Sequence, residues 1–270
     1  MRTLKLTLAY DGTAFHGWQT QLNRRTVQQT LSEVLEKITG RRVSAHASGR
    51  TDAGVHALGQ VVSFDTDTTL DTATLQRALD AELPDDIIVL AVEEAPVGFH
   101  ARRHAVRKRY RYVIQDGPRA DVFRRHYAWR VYRRLDDRAM LRASQPLVGM
   151  HNFATFESRG SKRSNSVRTI FELTVARPTT ELLTSPNPPG DEIHIEICAD
   201  GFLYNMVRNI VGMLVDIGRG AADETWPTRA LAAVDRRAAG PPAPSRGLVL
   251  VSVDYGGGGL TNDEARMSKE

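Results

Sequence analysis

One stretch of this sequence concentrates its chemically capable side chains: SGRTDAGVHALGQVVSF, residues 48–64. Arg50, Asp52 and His56 stand within seven positions of one another, among Gly49, Gly54 and Gly59. Glycines at such a place let the backbone turn sharply or approach a ligand closely. A carboxylate beside a guanidinium is favoured in its ionised form, and an ionised carboxylate can serve as nucleophile or general base. Residue types alone leave two plainer readings open. An Asp between Thr51 and Ala53 suits an Asx-turn or a helix cap, and a glycine-rich loop can cradle phosphate. Neither GxGxxG nor GxxxxGK[ST] occurs here, which weakens the second.

Other chemistries are poorly served. The eight histidines (His16, His46, His56, His100, His104, His126, His151 and His194) include no HExxH or H-x-H pairing. One cysteine, Cys198, cannot build a zinc site or an internal disulfide. The expectation is therefore an activity that does not depend on a metal, in a protein with no sign of an oxidising compartment, for which the cytoplasm is the natural setting. The apolar runs, such as 87–92 and 248–253, are too short to cross a membrane. The first residues alternate apolar and polar from the start, as a strand does and a targeting peptide does not.

Charge distribution points to a partner. The net charge is only +4, yet residues 1–107 hold 12 basic and 13 acidic side chains, leaving the whole excess to the remainder. Within RRHAVRKRYR, residues 102–111, six positions are Arg or Lys and none is acidic. Such a run suits a solvated face. The interleaved Tyr110 and Tyr112 also suit a surface that grips phosphates and stacks on bases. The segment 158–168 (SRGSKRSNSVR) is a second basic stretch, read as a mobile loop.

The elements that must position these groups follow from periodicity. Leu4, Leu6 and Leu8 alternate along a first strand. Val27, Leu31, Val34, Leu35 and Ile38 share a helix face, with Thr26 and Gln29 at capping-box spacing and Gly40 at the end. Short strands are expected near 42–47 and 59–65, a helix near 72–83 and a buried strand at 87–93. The order β-α-β-β-α-β is the split βαβ arrangement. The second half repeats it loosely, with strands near 108–115, 126–131, 171–175, 193–197 and 248–254. Helices are expected after Asp136, at 203–217 and near 228–236. The fold class is α+β: two ferredoxin-like, RRM-like halves, 1–106 and 107–255, with antiparallel sheets side by side, an active cleft between them and a disordered tail over 256–270.

The motif GRTDAGVHA at 49–57 resembles the catalytic motif of the TruA family of tRNA pseudouridine synthases. YDGTAFHGWQTQ (10–21), VQQTLSEVL (27–35), FHARRHAVRKRYRY (99–112), GMHNFATF (149–156), GFLYNMVRNIVG (201–212) and RGLVLVSVDY (246–255) resemble the family's other blocks in its order. The resemblance implies isomerisation of uridine to pseudouridine at positions 38, 39 and 40 of the tRNA anticodon arm, without cofactor, by a homodimer. It places Asp52 as nucleophile, Tyr110 as the platform for the target base, Arg50 as support for the flipped-out nucleotide, and Arg208 as an arginine facing the carboxylate. Arg102, Arg107, Lys108 and Arg109 become candidate RNA contacts. Two rival readings are an RRM-like module that binds RNA without altering it and a metal-dependent RNA hydrolase. The missing RNP-type string argues against the first, and the missing ligand clusters argue against the second.

Overall fold

Strand alternation at the N-terminus is realised over β1 (Arg2–Tyr10), where Leu4, Leu6, Leu8 and Tyr10 are buried. The structure is a computed structural model and describes residues 1–158, 160, 165–178 and 191–256. Two compact units divide it: residues 1–108 with 250 onward, and residues 109–249.

In the first unit β1 leads to α1 (Val27–Thr39), which buries Val27, Leu31 and Leu35 as one stripe. Thr26 caps it by accepting from Gln29 N–H, and Gly40 ends it in the left-handed region at φ 71°. The expected capping box is half formed, because the Gln29 side chain donates to Glu33 instead (2.9 Å). The cap contributes about 1 kcal/mol, against about 1.5–3 kcal/mol for each buried Leu or Val, so the stripe decides the helix. Next come β2 (His46–Ala47), β3 (His56–Thr66), α2 (Thr72–Glu82) and β4 (Ile87–Ala95). β1 lies antiparallel to both β3 and β4, and β2 is antiparallel to β3, as a split βαβ arrangement requires. Register sets Leu4 opposite Phe64, Leu6 opposite Val62 and Leu8 opposite Gln60. It then shifts between Leu8 and Tyr10. A bulge of this kind re-aims the side chain that follows it.

The second unit carries most of β5 (Arg107–Gln115), then β6 (Trp129–Arg130), α3 (Asp137–Ser144), β7 (Gly149–Asn152), β8 (Val167–Ala176), β9 (Glu192–Ala199), α4 (Met206–Gly218) and α5 (Trp226–Ala233). Its strand order is β5-β9-β8-β7, with β6 parallel to β5. β7 has no counterpart among the strands expected from periodicity. Ile193, Ile195 and Ile197 on β9 are fully buried, and Leu173 and Val175 stand opposite Ile197 and Ile195. α4 begins at Met206, three residues later than its apolar pattern suggests, because Asn205 sits in the left-handed region at φ 60°. The last strand among the described residues is β10 (Leu248–Asp254). From Leu250 onward this strand belongs to the first unit, where it lies beside β3. The fold is α+β, as the element order indicates. The tail expected to be disordered, from 257 on, and positions 159 and 161–164 of the basic 158–168 loop lie outside the described residues.

Candidate active site

Residues 48–55 run from β2 into β3, and the structure holds them from two sides. On one side the segment after β1 wraps them with backbone bonds: Trp18 N–H donates to Thr51 O (3.0 Å), and Gly54 N–H to Phe15 O (3.3 Å). Contact there is so close that side chains are excluded. A Cβ on Gly12 would sit 2.1 Å from the Val55 carbonyl oxygen, and one on Gly17 2.7 Å from that of Thr51. Gly17 also occupies φ +87°. The clamp is itself anchored, since Arg25 forks onto Asp86 (2.6 and 2.8 Å) and covers the Phe15 ring.

On the other side lies a buried polar network. Gln60, at the point where β1 and β3 set Leu8 opposite it, donates to Gly49 O (2.9 Å) and accepts from the Ser48 hydroxyl (2.7 Å). The re-aimed Tyr10 brings its hydroxyl to Thr51 Oγ1 (2.8 Å). Burial pushes that hydroxyl up to about 12, so it keeps its proton and its bonding role throughout the working pH range. Lys108 Nζ donates to Ser48 O (2.6 Å). Nδ1 of buried His56 accepts from Gly12 N–H (3.0 Å), with Asp11 Oδ1 3.1 Å from the same nitrogen.

Between these supports Asp52 is half-buried, and the turn that follows is closed by Val55 N–H on the Asp52 backbone carbonyl (3.1 Å). The turn therefore uses the main chain of Asp52 as an acceptor. Arg50 is exposed two residues earlier. One loop thus presents a carboxylate and a guanidinium on a fixed backbone, the pre-organised arrangement a nucleophile needs.

Of the other expected residues, Arg102, Arg107 and Lys108 belong to the first unit and Arg109, Tyr110 and Arg208 to the second. Tyr110 is buried on β5 and meets Phe202 edge-on at 5.0 Å between ring centres. Tyr112, two residues on, is fully buried and donates to Pro244 O (2.7 Å). Arg208 is half-buried in the first turn of α4, where its Nε donates to Ala243 O (2.7 Å) and a terminal nitrogen to Asn205 Oδ1 (2.8 Å). The left-handed Asn205 that delays the helix is thus also what orients this arginine. Arg109 is engaged by Glu172 (2.7 Å) and Glu196 (3.1 Å), which raise its pKa and offset its charge. Arg102 and Arg107 are exposed. Periodicity and composition did not reveal Tyr10, Gly12, Gly17 and Gln60 as loop-holders. The one local signal is Gln60, a polar residue in an otherwise apolar buried run. Among the described residues no three His, Cys, Asp or Glu side chains are placed to hold a metal, and no helix is long and apolar enough to cross a membrane.

The chain is similar to known proteins of one family. The model of a family described as tRNA pseudouridine synthase matches residues 7–102 and 143–256. Proteins named tRNA pseudouridine synthase A are similar over nearly the whole chain. That of Thermoanaerobacter sp. (strain X514) is 40% identical over 94% of this chain and all of its own. That of Brevibacillus brevis is 42% identical over the same shares. That of Geobacillus kaustophilus is 44% identical over 93% of this chain and 94% of its own.

Proposed function

The chain belongs to the tRNA pseudouridine synthase family, and from that premise we propose that it acts on uridines 38, 39 and 40 of the anticodon arm with Asp52 as its nucleophile. It is an isomerase that converts uridine to pseudouridine in tRNA. Uridine and pseudouridine have the same composition, so the reaction balances within the substrate. The N1–C1′ bond breaks, the uracil turns, C5 joins C1′, C5 gives up a proton and N1 gains one. The carboxylate of Asp52 engages the substrate as the first bond breaks and is released as the second forms. Arg50, exposed beside it, supports the nucleotide lifted out of the stack. Tyr110 supplies a face for the uracil, and Arg208 supplies positive charge to the reaction. The reaction runs in the cytoplasm on a homodimer. The observation that carries the reading is the loop itself, whose backbone is held by Trp18, Phe15, Gln60 and Lys108 while Asp52 and Arg50 stand within it.

The direct test is incubation with an unmodified, pre-folded, polyamine-stabilised tRNA transcript in EDTA, followed by chemical mapping of pseudouridine. Product at 38, 39 or 40 is expected without metal or nucleotide. Loss of activity that a transition metal restores would count decisively against it.

Tyr110 has a sharper test because its burial also suits a plain packing residue. Tyr110→Phe keeps the ring and should keep tRNA binding. Tyr110→Leu removes a stacking face worth about 1–3 kcal/mol per base and should slow single-turnover isomerisation by roughly tenfold or more. A Leu variant that melts many degrees lower yet isomerises at the normal rate in the cold would make Tyr110 a core residue only.

A further inference from the structure

Within the first unit, three histidines gather on one surface. The turn 99–104 (FHARRH) docks on β2 and β3: Ala101 N–H donates to Ser63 Oγ (2.9 Å), and Ala101 O accepts from Tyr255 (2.8 Å). His100 thereby stacks on His46 of β2, with ring centres 4.7 Å apart and planes 25° from parallel. His104 leans against Phe99 at 5.6 Å. His46 and His104 are exposed, as are Arg102 and Arg103 between them.

The hydrogen bonds decide what these rings can offer. Arg102 N–H donates to Nδ1 of His100 (3.2 Å), and His100 N–H donates to Nδ1 of His104 (3.2 Å). A backbone amide can only donate, so each Nδ1 is the acceptor and each ring carries its hydrogen on Nε2. Two neutral imidazoles are thus fixed as donors through the opposite nitrogen. Burial is the leading cause that lowers the pKa of His100, and the positive charge of Arg103 acts in the same direction. On the adjoining strands the carboxylates are Asp65 and Asp254, which already accept from Thr3 (2.5 Å) and from Gly256 N–H (2.9 Å).

We propose that His100 and His104, as neutral Nε2 donors, form with Arg102 and Arg103 a binding site for the phosphodiester backbone of the substrate RNA, beside the reacting nucleotide. The inference rests on the reading that the substrate is a tRNA. Three residues separate His46 from Arg50, and the four chain steps between them limit that separation to about 14 Å. A stem strand presents one phosphate per roughly 3.4 Å of helix axis, so the site reaches phosphates only a few nucleotides from the target. Neutral donors and arginines divide the work differently. An arginine on a phosphate releases counterions and steepens the salt dependence of binding. A neutral imidazole adds a hydrogen bond and leaves that slope alone.

The test is filter binding of an unmodified tRNA transcript across salt concentrations at pH 6.5 and 8.0, with pseudouridine formation by the wild type measured in parallel. His100→Phe/His104→Phe keeps rings against His46 and Phe99 and removes both donors. Its Kd should rise roughly tenfold, equally at both pH values, with the salt slope unchanged. Arg102→Gln or Arg103→Gln should flatten the slope by about one unit. His104→Gln, which keeps a side-chain N–H, should bind more tightly than His104→Phe. If melting shows the double variant unfolded, His104→Phe alone carries the comparison, since that side chain is exposed. Wild-type affinity in both Phe variants overturns the proposal. So does a loss confined to pH 6.5, or one accompanied by a flattened slope, because either would mean imidazolium contacts. Absence of pseudouridine with the wild type would instead sink the functional reading and leave the binding result standing on its own.

Discussion

Asp52→Asn is expected to bring single-turnover pseudouridine formation below about a hundredth of the wild-type rate, as removal of a nucleophile does, while the melting temperature holds. The two halves of that expectation have separate causes. The amide keeps the shape of the side chain without its charge, so the step that needs an electron pair fails. The fold is spared because the turn 52–55 closes on the backbone carbonyl of residue 52. The loop's remaining supports come from Tyr10, Phe15, Trp18, Gln60 and Lys108. A variant that isomerised at more than a hundredth of the normal rate would remove Asp52 from the role. One that failed to fold would make its carboxylate a structural group instead.

Gly12→Ala should be almost as damaging, although the residue has no side chain to lose. The added carbon would meet the Val55 carbonyl oxygen at 2.1 Å, a separation that cannot exist, so one of the two segments must move. Val55 is the residue whose N–H closes the turn onto Asp52, so displacement passes directly to the proposed nucleophile. Overpacking of this kind costs about 1–3 kcal/mol, and a misplacement on the order of 1 Å in a catalytic group costs roughly a hundredfold in rate. The expected result is a lowered melting temperature together with a rate loss of that order at temperatures where the protein remains folded. A normal melt with a normal rate would show that the close approach of the two segments does not hold the loop.

Much of the fold was legible because its signals are local. Leu4, Leu6 and Leu8 mark β1, the stripe through Val27, Leu31 and Leu35 marks α1, and Asp136 caps α3 by accepting from Ala139 N–H, where a helix start was expected. Departures occur where one residue overrides a pattern. Asn205 in a left-handed conformation trims the start of α4, and the strand expected near 42–47 shrinks to two residues. The chemistry-bearing loop was also visible, since Gly, Arg and Asp cluster within a few positions. What supports it was not. Tyr10 reaches Thr51 across 41 positions, and Lys108 reaches Ser48 across 60. Pairings that distant leave no periodicity to read. Arg109 shows the same limit for charge: its place in a basic run suggests a phosphate contact, while Glu172 and Glu196, far along the chain, already engage it.

The placement of β10 has a consequence for how the protein is made. Its residues from Leu250 lie beside β3, so closely that a Cβ on Gly59 would meet the Val251 carbonyl oxygen at 2.6 Å. The unit holding Asp52 therefore takes one of its strands from a segment far along the polypeptide. At about 5–20 residues per second, synthesis delivers that strand roughly 7–28 s after residue 108 has been added. Until then the β3 edge lacks this partner and displays unpaired N–H and C=O groups, the kind of surface that pairs with foreign strands. A nascent chain whose first unit looks finished by residue count is still incomplete, and stalled or prematurely ended translation should yield species prone to aggregate and unable to act on RNA.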